Sequence, residues 1–252
     1  MLYALLFGLL AGSSLFAGAL TGLFVPVSKK IIAAVMAFGS GVLISALSID
    51  LMEEAHSTGG IYPVSIGFIL GGLFFVAGDY LVDNAGGHHR KSAHGRHHAA
   101  KKTGVQTISG TALLLGALLD GIPESAAIGM NMIKDSNMGF LLLTAVFLSN
   151  VPEGISGAVG MKQAGKSNGN ILWTWLSVVI ISGVASLVGF QFLGALQEQY
   201  KAVAMAFAAG AILAMLTDTM IPEAFENGGR FVALMAVTGF LIAFIISRLA
   251  AA

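Results

Sequence analysis

The segment that decides the fold is MAFGSGVLISALSIDLMEEAHSTGG, residues 36–60, because a similar segment, MAFAAGAILAMLTDTMIPEAFENGG, occupies residues 205–229. Aligned without gaps, 9 of the 25 positions are identical, namely Met, Ala, Phe, Gly, Leu, Glu, Ala, Gly and Gly. A shared bias toward Ala, Gly and Leu is the alternative explanation, but the match pairs Glu54 with Glu223 and ends both segments in Gly-Gly. We interpret the two segments as copies of one structural unit.

The composition of the whole chain excludes most soluble classes of protein. Of its 252 residues, 56% are hydrophobic and 10% are charged, against roughly 25% charged residues in average soluble chains. The 13 basic and 13 acidic residues give zero net charge, which argues against a nucleic-acid partner. The absence of Cys excludes disulfides, thiol catalysis and Cys-based metal sites. These observations indicate a polytopic membrane protein.

Eight stretches are long and apolar enough to cross a membrane as helices, which takes about 20 residues for a hydrocarbon core of ~30 Å. They cover residues 2–25, 31–52, 61–82, 108–132, 138–161, 170–195, 202–222 and 231–249. We therefore predict an all-α polytopic membrane protein with eight transmembrane helices, called spans 1 to 8. Its single membrane domain has four parts: spans 1–3 in residues 1–82, a loop in residues 83–107, spans 4 and 5 in residues 108–161, and spans 6–8 in residues 170–252.

The distribution of basic residues predicts the orientation of the spans, because Lys and Arg concentrate in cytoplasmic loops. Ten of them follow spans 1, 3, 5 and 7: Lys29, Lys30, Arg90, Lys91, Arg96, Lys101, Lys102, Lys162, Lys166 and Arg230. The opposite side has Lys134, Lys201 and Arg248. We expect both termini outside the cell, the loop in the cytoplasm, and the protein in the plasma or inner membrane.

This orientation gives the two similar segments opposite directions across the membrane. Span 2 would run outward and span 7 inward. Spans 1–3 and 6–8 then form an inverted repeat around spans 4 and 5. Such repeats are typical of secondary transporters, whose substrate sites lie near the middle of the bilayer.

Acidic residues inside the predicted spans point to function, because a carboxylate is costly to place in a bilayer. Span 4 contains LDGIPES, residues 119–125, and span 5 contains SNVPEG, residues 149–154. A proline inside a helix lacks an N–H and collides with a preceding carbonyl. We therefore expect Pro123, Pro152 and the corresponding Pro222 of span 7 to bend their helices and release carbonyl oxygens.

Helical spacing predicts a cation site near the middle of the membrane. Asp120 and Glu124 are four residues apart, as are Ser149 and Glu153, so each pair shares one helix face. If spans 4 and 5 pack together, two or three carboxylates converge with Ser149 and Asn150, and a cation would neutralise them. Protonated carboxyl groups that hydrogen-bond to a neighbouring helix are the alternative.

Further acids lie toward both ends of the predicted path. Ordered from outside to inside, the path would contain an outer group (Glu53, Glu54 and His56), a central group (Asp120, Glu124 and Glu153) and an inner group (Asp218 and Glu223). Such a series suits a cation that crosses the membrane. For Asp50 and Glu226, which lie beside these groups, a purely interfacial position is the alternative.

The predicted cytoplasmic loop contains five of the six histidines: His88, His89, His94, His97 and His98. Neutral imidazole binds zinc, copper, nickel and iron. A His-rich tract therefore suggests weak metal capture, which would tune transport without lining the path. A merely soluble, disordered loop is the alternative.

These features together resemble the ZIP family of divalent-metal transporters over essentially the whole chain. Members have eight spans, both termini outside, a His-rich loop between spans 3 and 4, and the motifs His-Asn-x-Pro-Glu-Gly in span 4 and His-x-x-Pro-Glu-Gly in span 5. Here the Pro-Glu halves are kept, while Asp120, Gly121 and Ser149 replace the usual His, Asn and His. In span 6, Ser186 stands where the family often has Glu. In span 7, the family pattern Asp-Glu-x-x-Pro-Glu reads DTMIPE, residues 218–223.

The resemblance implies uptake of zinc, iron or manganese toward the cytoplasm through a site formed by Asp120, Glu124, Asn150 and Glu153. It also implies that spans 1, 4, 5 and 6 slide against spans 2, 3, 7 and 8. Glycine pairs at small-xxx-small spacing are compatible with close helix contact: Gly8 with Gly12, Gly18 with Gly22, and Gly67 with Gly71. The expected partners are divalent metal ions and the lipid bilayer, and a homodimer is an open alternative to a monomer.

We expect no resident cofactor, because the metal is cargo, and no enzymatic activity. A site built from oxygen donors predicts a broader range of divalent cations than a His-bearing site takes. One alternative is a metal-binding membrane protein or sensor that does not transport, since the usual His ligands are missing. A more remote alternative is an intramembrane aspartyl protease with Asp79 and Asp120 as its carboxylate pair.

Overall fold

All regular structure in the described part of the chain is helical, as predicted. The structure is a computed structural model that describes residues 1–82, 84, 110–132, 136–193 and 195–250. Its α-helices are α1 (Leu2–Phe24), α2 (Lys29–Ser45), α3 (Met52–Gly59), α4 (Ile61–Val82), α5 (Gly110–Asn131), α6 (Ser136–Gln163), α7 (Asn168–Val188), α8 (Glu198–Met215), α9 (Ile221–Gly228) and α10 (Phe231–Ala250). Three π-helical segments continue α2, α7 and α8: Ala46–Leu51, Gly189–Leu193 and Leu216–Met220.

The described residues contain seven helical stretches that are long and apolar enough to cross a membrane. They are Leu2–Phe24, Lys29–Gly59, Ile61–Val82, Leu142–Gln163, Asn168–Gln191, Glu198–Gly228 and Phe231–Leu249. Helix α5, with 22 residues, occupies the predicted span 4. A multi-pass helical membrane protein is therefore confirmed at this level. The His-rich segment lies outside the described residues, so its role stays a prediction.

The two similar segments have the same local structure. Each is a long helix (α2 or α8), a π-helical segment and an eight-residue helix (α3 or α9) that ends at a glycine with positive φ, 79° at Gly60 and 63° at Gly229. Only the second copy has a proline at the break, because Pro222 aligns with Glu53. The break therefore belongs to the repeated unit and does not depend on proline.

Prolines inside α5 and α6 leave these helices unbroken. Pro123 lies within Gly110–Asn131 and Pro152 within Ser136–Gln163. Pro222, the third proline expected to bend a helix, lies at the start of α9, directly after the π-helical segment Leu216–Met220. A bend at Pro123 and Pro152 stays a prediction. The carbonyls one turn before each proline still lack its N–H donor, because the ring has none.

The helices pack in two groups. The helix that follows each repeated unit packs along the long helix of the other unit. Helix α4 packs along α8, and α10 packs along α2. We call α1, α5, α6 and α7 the first bundle, since α1 packs on α6 and α7, and α5 packs on α7. The second bundle is α2, α3, α4, α8, α9 and α10. Helix α2 contacts α6 and so joins the bundles. That the two units point in opposite directions across the membrane stays a prediction.

Small residues allow the close helix contacts that the glycine pairs predicted. A Cβ atom on Gly8 would lie 2.5 Å from the Ser182 carbonyl oxygen, and one on Gly18 would lie 2.2 Å from that of Val151. A Cβ on Gly71 would lie 1.9 Å from the carbonyl oxygen of Phe207. The helix backbones are therefore nearly in contact at these positions, and larger residues would separate them.

Helix α4 presents an apolar face with a tyrosine near each end. Tyr62 and Tyr80 are 81% and 67% exposed, and the residues between them on this face include Ile66, Ile69 and Leu73. Their separation of 18 residues is five full turns, or about 27 Å along the helix. This length matches a hydrocarbon core of ~30 Å, and Tyr is enriched at its two interfaces. The face is therefore suited to lipid contact.

Candidate metal-binding site

A pocket opens between the two bundles and contains three of the predicted acids. About 50 Å³ of it can be occupied by water-sized molecules. From the first bundle it is lined by Ala117, Asp120, Glu153, Ser156, Gly157, Met161, Thr174 and Trp175, and from the second by Met36, Thr219, Met220 and Glu223. No Lys, Arg or His is among these residues. The lining is therefore acidic within the described part of the chain.

Glu124 lies one turn beyond Asp120 on α5 and is 1% exposed. Its Oε1 atom has no hydrogen-bond partner within the described part of the chain. The Asn150 amide, in the orientation that suits its neighbours, donates to Glu124 Oε2 at 3.2 Å and to the Val146 carbonyl at 3.3 Å. The Glu153 carboxyl is near enough to interact electrostatically with that of Glu124. The structure thus places Asn150 against Glu124, with Glu153 nearby, and a shared cation between the two glutamates stays a prediction.

Ser149 does not join this group. Its Oγ atom donates to the Val146 carbonyl of its own helix at 3.0 Å, and the side chain is fully buried. The backbone of α2 lies directly against it, since a Cβ on Gly39 would be 2.8 Å from Ser149 Cα. Ser149 is therefore used in packing α6 on α2. The expectation that it lies among the converging donors is wrong for this conformation.

The acids are arranged along the pocket and do not form one cage. Among the described residues, no three His, Cys, Asp or Glu side chains are close enough to hold one metal ion. A separation of four residues places Asp120 and Glu124 about 6 Å apart along the helix axis, which explains why they occupy successive levels. The expected convergence of three carboxylates is therefore not present in this part of the chain. Pairs of acids with neighbouring neutral donors are present instead.

Glu223 reaches the pocket from the second bundle. Ser156 Oγ donates a hydrogen bond to Glu223 Oε1 and so connects α6 to α9. The Glu223 backbone carbonyl also accepts from Asn227 Nδ2 at 3.0 Å. Asp218, the other predicted residue of the inner group, is exposed in the π-helical segment and does not line the pocket.

The predicted outer group lies outside this pocket. Glu54 is partly buried on α3 and accepts from Thr58 Oγ1 at 3.4 Å, while His56 is exposed. Glu53 pairs with Arg248 of α10, with 3.8 Å between Oε2 and Nη2. The structure therefore does not bring Glu54 and His56 to the central acids, and their role in a path stays a prediction.

Asp50, which is 5% exposed, also contacts α10. Its Oδ1 atom accepts a hydrogen bond of 2.9 Å from Ser247 Oγ. We call Asp50, Glu53, Ser247 and Arg248 the α10 cluster. In this cluster, Ser247 supplies the hydroxyl that faces Asp50, and Arg248 supplies the cation that faces Glu53.

Several pocket residues were missed by sequence reasoning. The largest is Trp175, which is 4% exposed and packs its ring against Gly157. Three methionines, Met36, Met161 and Met220, add thioether sulfur to the lining. Ser156 carried a weak signal, because it lies three residues after Glu153 and so on the same helix face. Ser186, at the position of a family Glu, donates to the Ala4 carbonyl at 2.8 Å and links α7 to α1.

Comparison with known proteins gives two relatives that align over most of the chain, whereas no protein-family model matches it. The zinc transporter ZIP11 of Homo sapiens is 24% identical over 311 residues, which cover 89% of this chain and 90% of the relative. The zinc transporter ZTP29 of Arabidopsis thaliana is 29% identical over 256 residues, which cover 94% of this chain and 90% of the relative. The chain is thus similar along nearly its whole length to proteins named zinc transporters, in agreement with the resemblance found in its motifs.

Proposed function

We propose that this protein is a divalent-metal transporter of the ZIP type, which moves zinc through the pocket between its two bundles. The observation that carries the proposal is the acidic lining of that pocket, Asp120, Glu153 and Glu223, beside the buried pair of Glu124 and Asn150. Asp120 and Glu124 are buried, and a buried carboxylate is costly in a membrane unless a cation or a proton neutralises it. The names of the two relatives support zinc as the cargo.

The spacing of the acids suits transfer of a cation from one pair to the next. Glu124 and Glu153, with the Asn150 amide, would hold the ion at the deepest position. Asp120 and Glu223 would receive it along the pocket. Because no single cage of three acids exists in the described residues, the ion would be held loosely enough at each level to move on.

The direction we propose is toward the cytoplasm. The pocket residues Met161, Thr174 and Glu223 lie near the helix ends that carry Lys162, Lys166 and Arg230. Basic ends of this kind face the cytoplasm in most membrane proteins. The pocket would then open inward, with both termini of the chain outside and the repeated units inverted across the membrane.

Oxygen donors set the expected selectivity. Carboxylates, the Asn150 amide and hydroxyl groups accommodate manganese and iron better, relative to zinc, than imidazole does. We therefore propose zinc, iron and manganese as cargo, with zinc still bound well. The pocket methionines favour soft metal ions at its wall and add to this breadth.

The test is metal flux into proteoliposomes that contain the purified full-length chain. We expect uptake of zinc, and slower uptake of manganese and iron, measured with radioactive metal and compared with protein-free liposomes. Glu153→Gln is the matched inactive variant, because it removes one charge from the pocket and keeps the shape of the side chain. Zinc flux equal to that of protein-free liposomes would contradict the proposal.

Two other functions would give distinct results in the same experiment. A metal sensor would bind zinc in equilibrium dialysis but give no flux. An aspartyl protease would cleave a membrane peptide and lose activity in Asp79→Asn, although Asp79 of α4 is not among the described residues that line the pocket with Asp120. The relatives are named transporters, which agrees with the expectation that this protein is not an enzyme.

A further inference from the structure

Ser156 occupies a particular place in the pocket, between the acids of the first bundle and Glu223 of the second. It follows Glu153 by three residues on α6, so the two side chains lie on one helix face. Its hydroxyl donates to Glu223 Oε1, although the two residues are 67 positions apart in the chain. The hydrogen bond therefore spans the pocket from α6 to α9.

Two other long-range side-chain hydrogen bonds of the described residues stay inside one bundle. Ser186 of α7 donates to Ala4 of α1 within the first bundle, and Ser247 of α10 donates to Asp50 within the second. The bond from Ser156 to Glu223 differs, because it joins the first bundle to the second. Any movement of one bundle against the other must break it.

The same carboxylate oxygen is also the atom that a passing cation would use. A metal ion that took the lone pair of Oε1 on which Ser156 donates would approach that oxygen to ~2.0–2.6 Å and displace the hydroxyl. The hydroxyl and the cation therefore compete for Glu223. Ser156 is not a charged ligand, so its effect on the ion acts through Glu223.

We propose that Ser156 is a positioning residue that links the two bundles when Glu223 is free of metal and releases them when a cation binds there. This inference rests on the proposed function, because it takes Glu223 to be a stop on the metal path. It predicts that metal arrival at Glu223 and separation of α6 from α9 are one coupled event. Loss of the hydroxyl should uncouple them.

The experiment uses the full-length protein with Trp173→Phe as the parent background. Trp173 is 70% exposed and Trp175 lines the pocket, so this change leaves Trp175 as the single tryptophan. Its emission then reports on the pocket. Zinc affinity is measured by equilibrium dialysis, zinc flux in proteoliposomes gives KM and the maximal rate, and Trp175 emission is recorded with and without zinc.

The variants compared are Ser156→Ala, Ser156→Thr and the control Ser177→Ala. Ser177 is also a partly buried serine of the first bundle, but its hydroxyl donates to the Thr174 carbonyl of its own helix. For Ser156→Ala we expect zinc affinity to rise by about threefold to tenfold, because no hydroxyl competes for Glu223. We also expect a lower KM, a lower maximal rate, and metal-free Trp175 emission like that of the zinc-loaded parent.

Ser156→Thr should behave as the parent, because it keeps the hydroxyl, and so should Ser177→Ala. A merely structural role of Ser156 would lower the amount of folded protein without tightening zinc binding. If the parent transports zinc and Ser156→Ala matches Ser177→Ala in affinity, KM and emission, the link is wrong while the proposed function stands. If the parent neither binds nor transports zinc, the proposed function itself fails.

Discussion

Two regions of this protein concentrate acidic residues, and they treat them in opposite ways. In the α10 cluster, Asp50 receives a hydrogen bond from Ser247, and Glu53 faces the guanidinium of Arg248. In the pocket, Asp120, Glu153 and Glu223 line a shared space, and its lining within the described residues contains no Lys, Arg or His. The acids of the first region meet a hydroxyl and a guanidinium across a helix contact, whereas those of the second face an open space between the bundles.

This difference teaches how to read acids in a membrane protein. Their number alone does not distinguish a path from a contact between helices, since both regions contain several. What distinguishes them in the described residues is whether the acids meet side chains of another helix directly or line a shared space. Sequence reasoning placed Glu53 in a path, and the structure places it beside Arg248.

The largest effect is expected when the pocket loses a charge. Glu124→Gln and Glu153→Gln should each lower zinc flux by at least about 100-fold, more than the change typical of residues that only support a metal ligand. The variants should unfold in detergent at the same temperature as the parent or above it, because glutamine keeps the shape of the side chain and places no charge inside the membrane. Flux and thermal unfolding are measured on the same preparations. Near-normal flux in either variant would place the path elsewhere.

Selectivity gives the next largest effect. Asp120→His places an imidazole at the pocket wall, and we expect it to raise the preference for zinc over manganese by about tenfold, or about 1.4 kcal/mol of differential binding. Ser149→His is the matched variant. It should misfold or leave selectivity unchanged, because Ser149 is buried against Gly39 of α2. Competition flux with both metals checks this prediction of selectivity. An effect confined to Ser149→His would show that Ser149, and not Asp120, faces the metal ion.

The α10 cluster should respond in stability and not in transport. Ser247→Ala removes the donor to Asp50, which is 5% exposed, and should lower the free energy of unfolding by about 1 kcal/mol. Zinc flux per folded protein should stay that of the parent. Thermal unfolding and flux separate the two quantities. A loss of flux in protein that unfolds normally would show that this cluster belongs to the path.

Much of the fold could be predicted from the sequence, because its signals are local and repeated. The gapless match of residues 36–60 with 205–229 predicted two copies of one structural unit, and the structure gives both copies the same final glycine and a break that the sequence had not predicted. The doubled Pro-Glu spacing likewise led to the prediction that Glu124 and Glu153 share one cation, which stays a prediction. Both predictions depend on a pattern within one helix or on the repetition of a helical segment elsewhere in the chain.

The rest of the site depends on which helices pack together, and a single sequence carries little information on that. Ser149 and Ser156 are both serines on α6, yet one bonds to its own helix and the other crosses to Glu223. The acceptor of each hydroxyl depends on the helix that packs beside it, which is α2 at Ser149 and α9 at Ser156. Helical spacing alone could not separate them.

The smallest effect is expected at the exposed end of the α10 cluster. The side chains of Arg248 and Glu53 are 55% and 66% exposed, so water and salt screen their attraction. Arg248→Gln, Glu53→Gln and the double variant form a cycle whose coupling free energy should be about 0.2–1 kcal/mol in thermal unfolding, and smaller still at high salt. Zinc flux should be unchanged in all three variants. If Glu53→Gln instead abolished flux in folded protein while Arg248→Gln did not, Glu53 would act on the cation and not on the arginine, and the contrast between the two acidic regions would be lost at that residue.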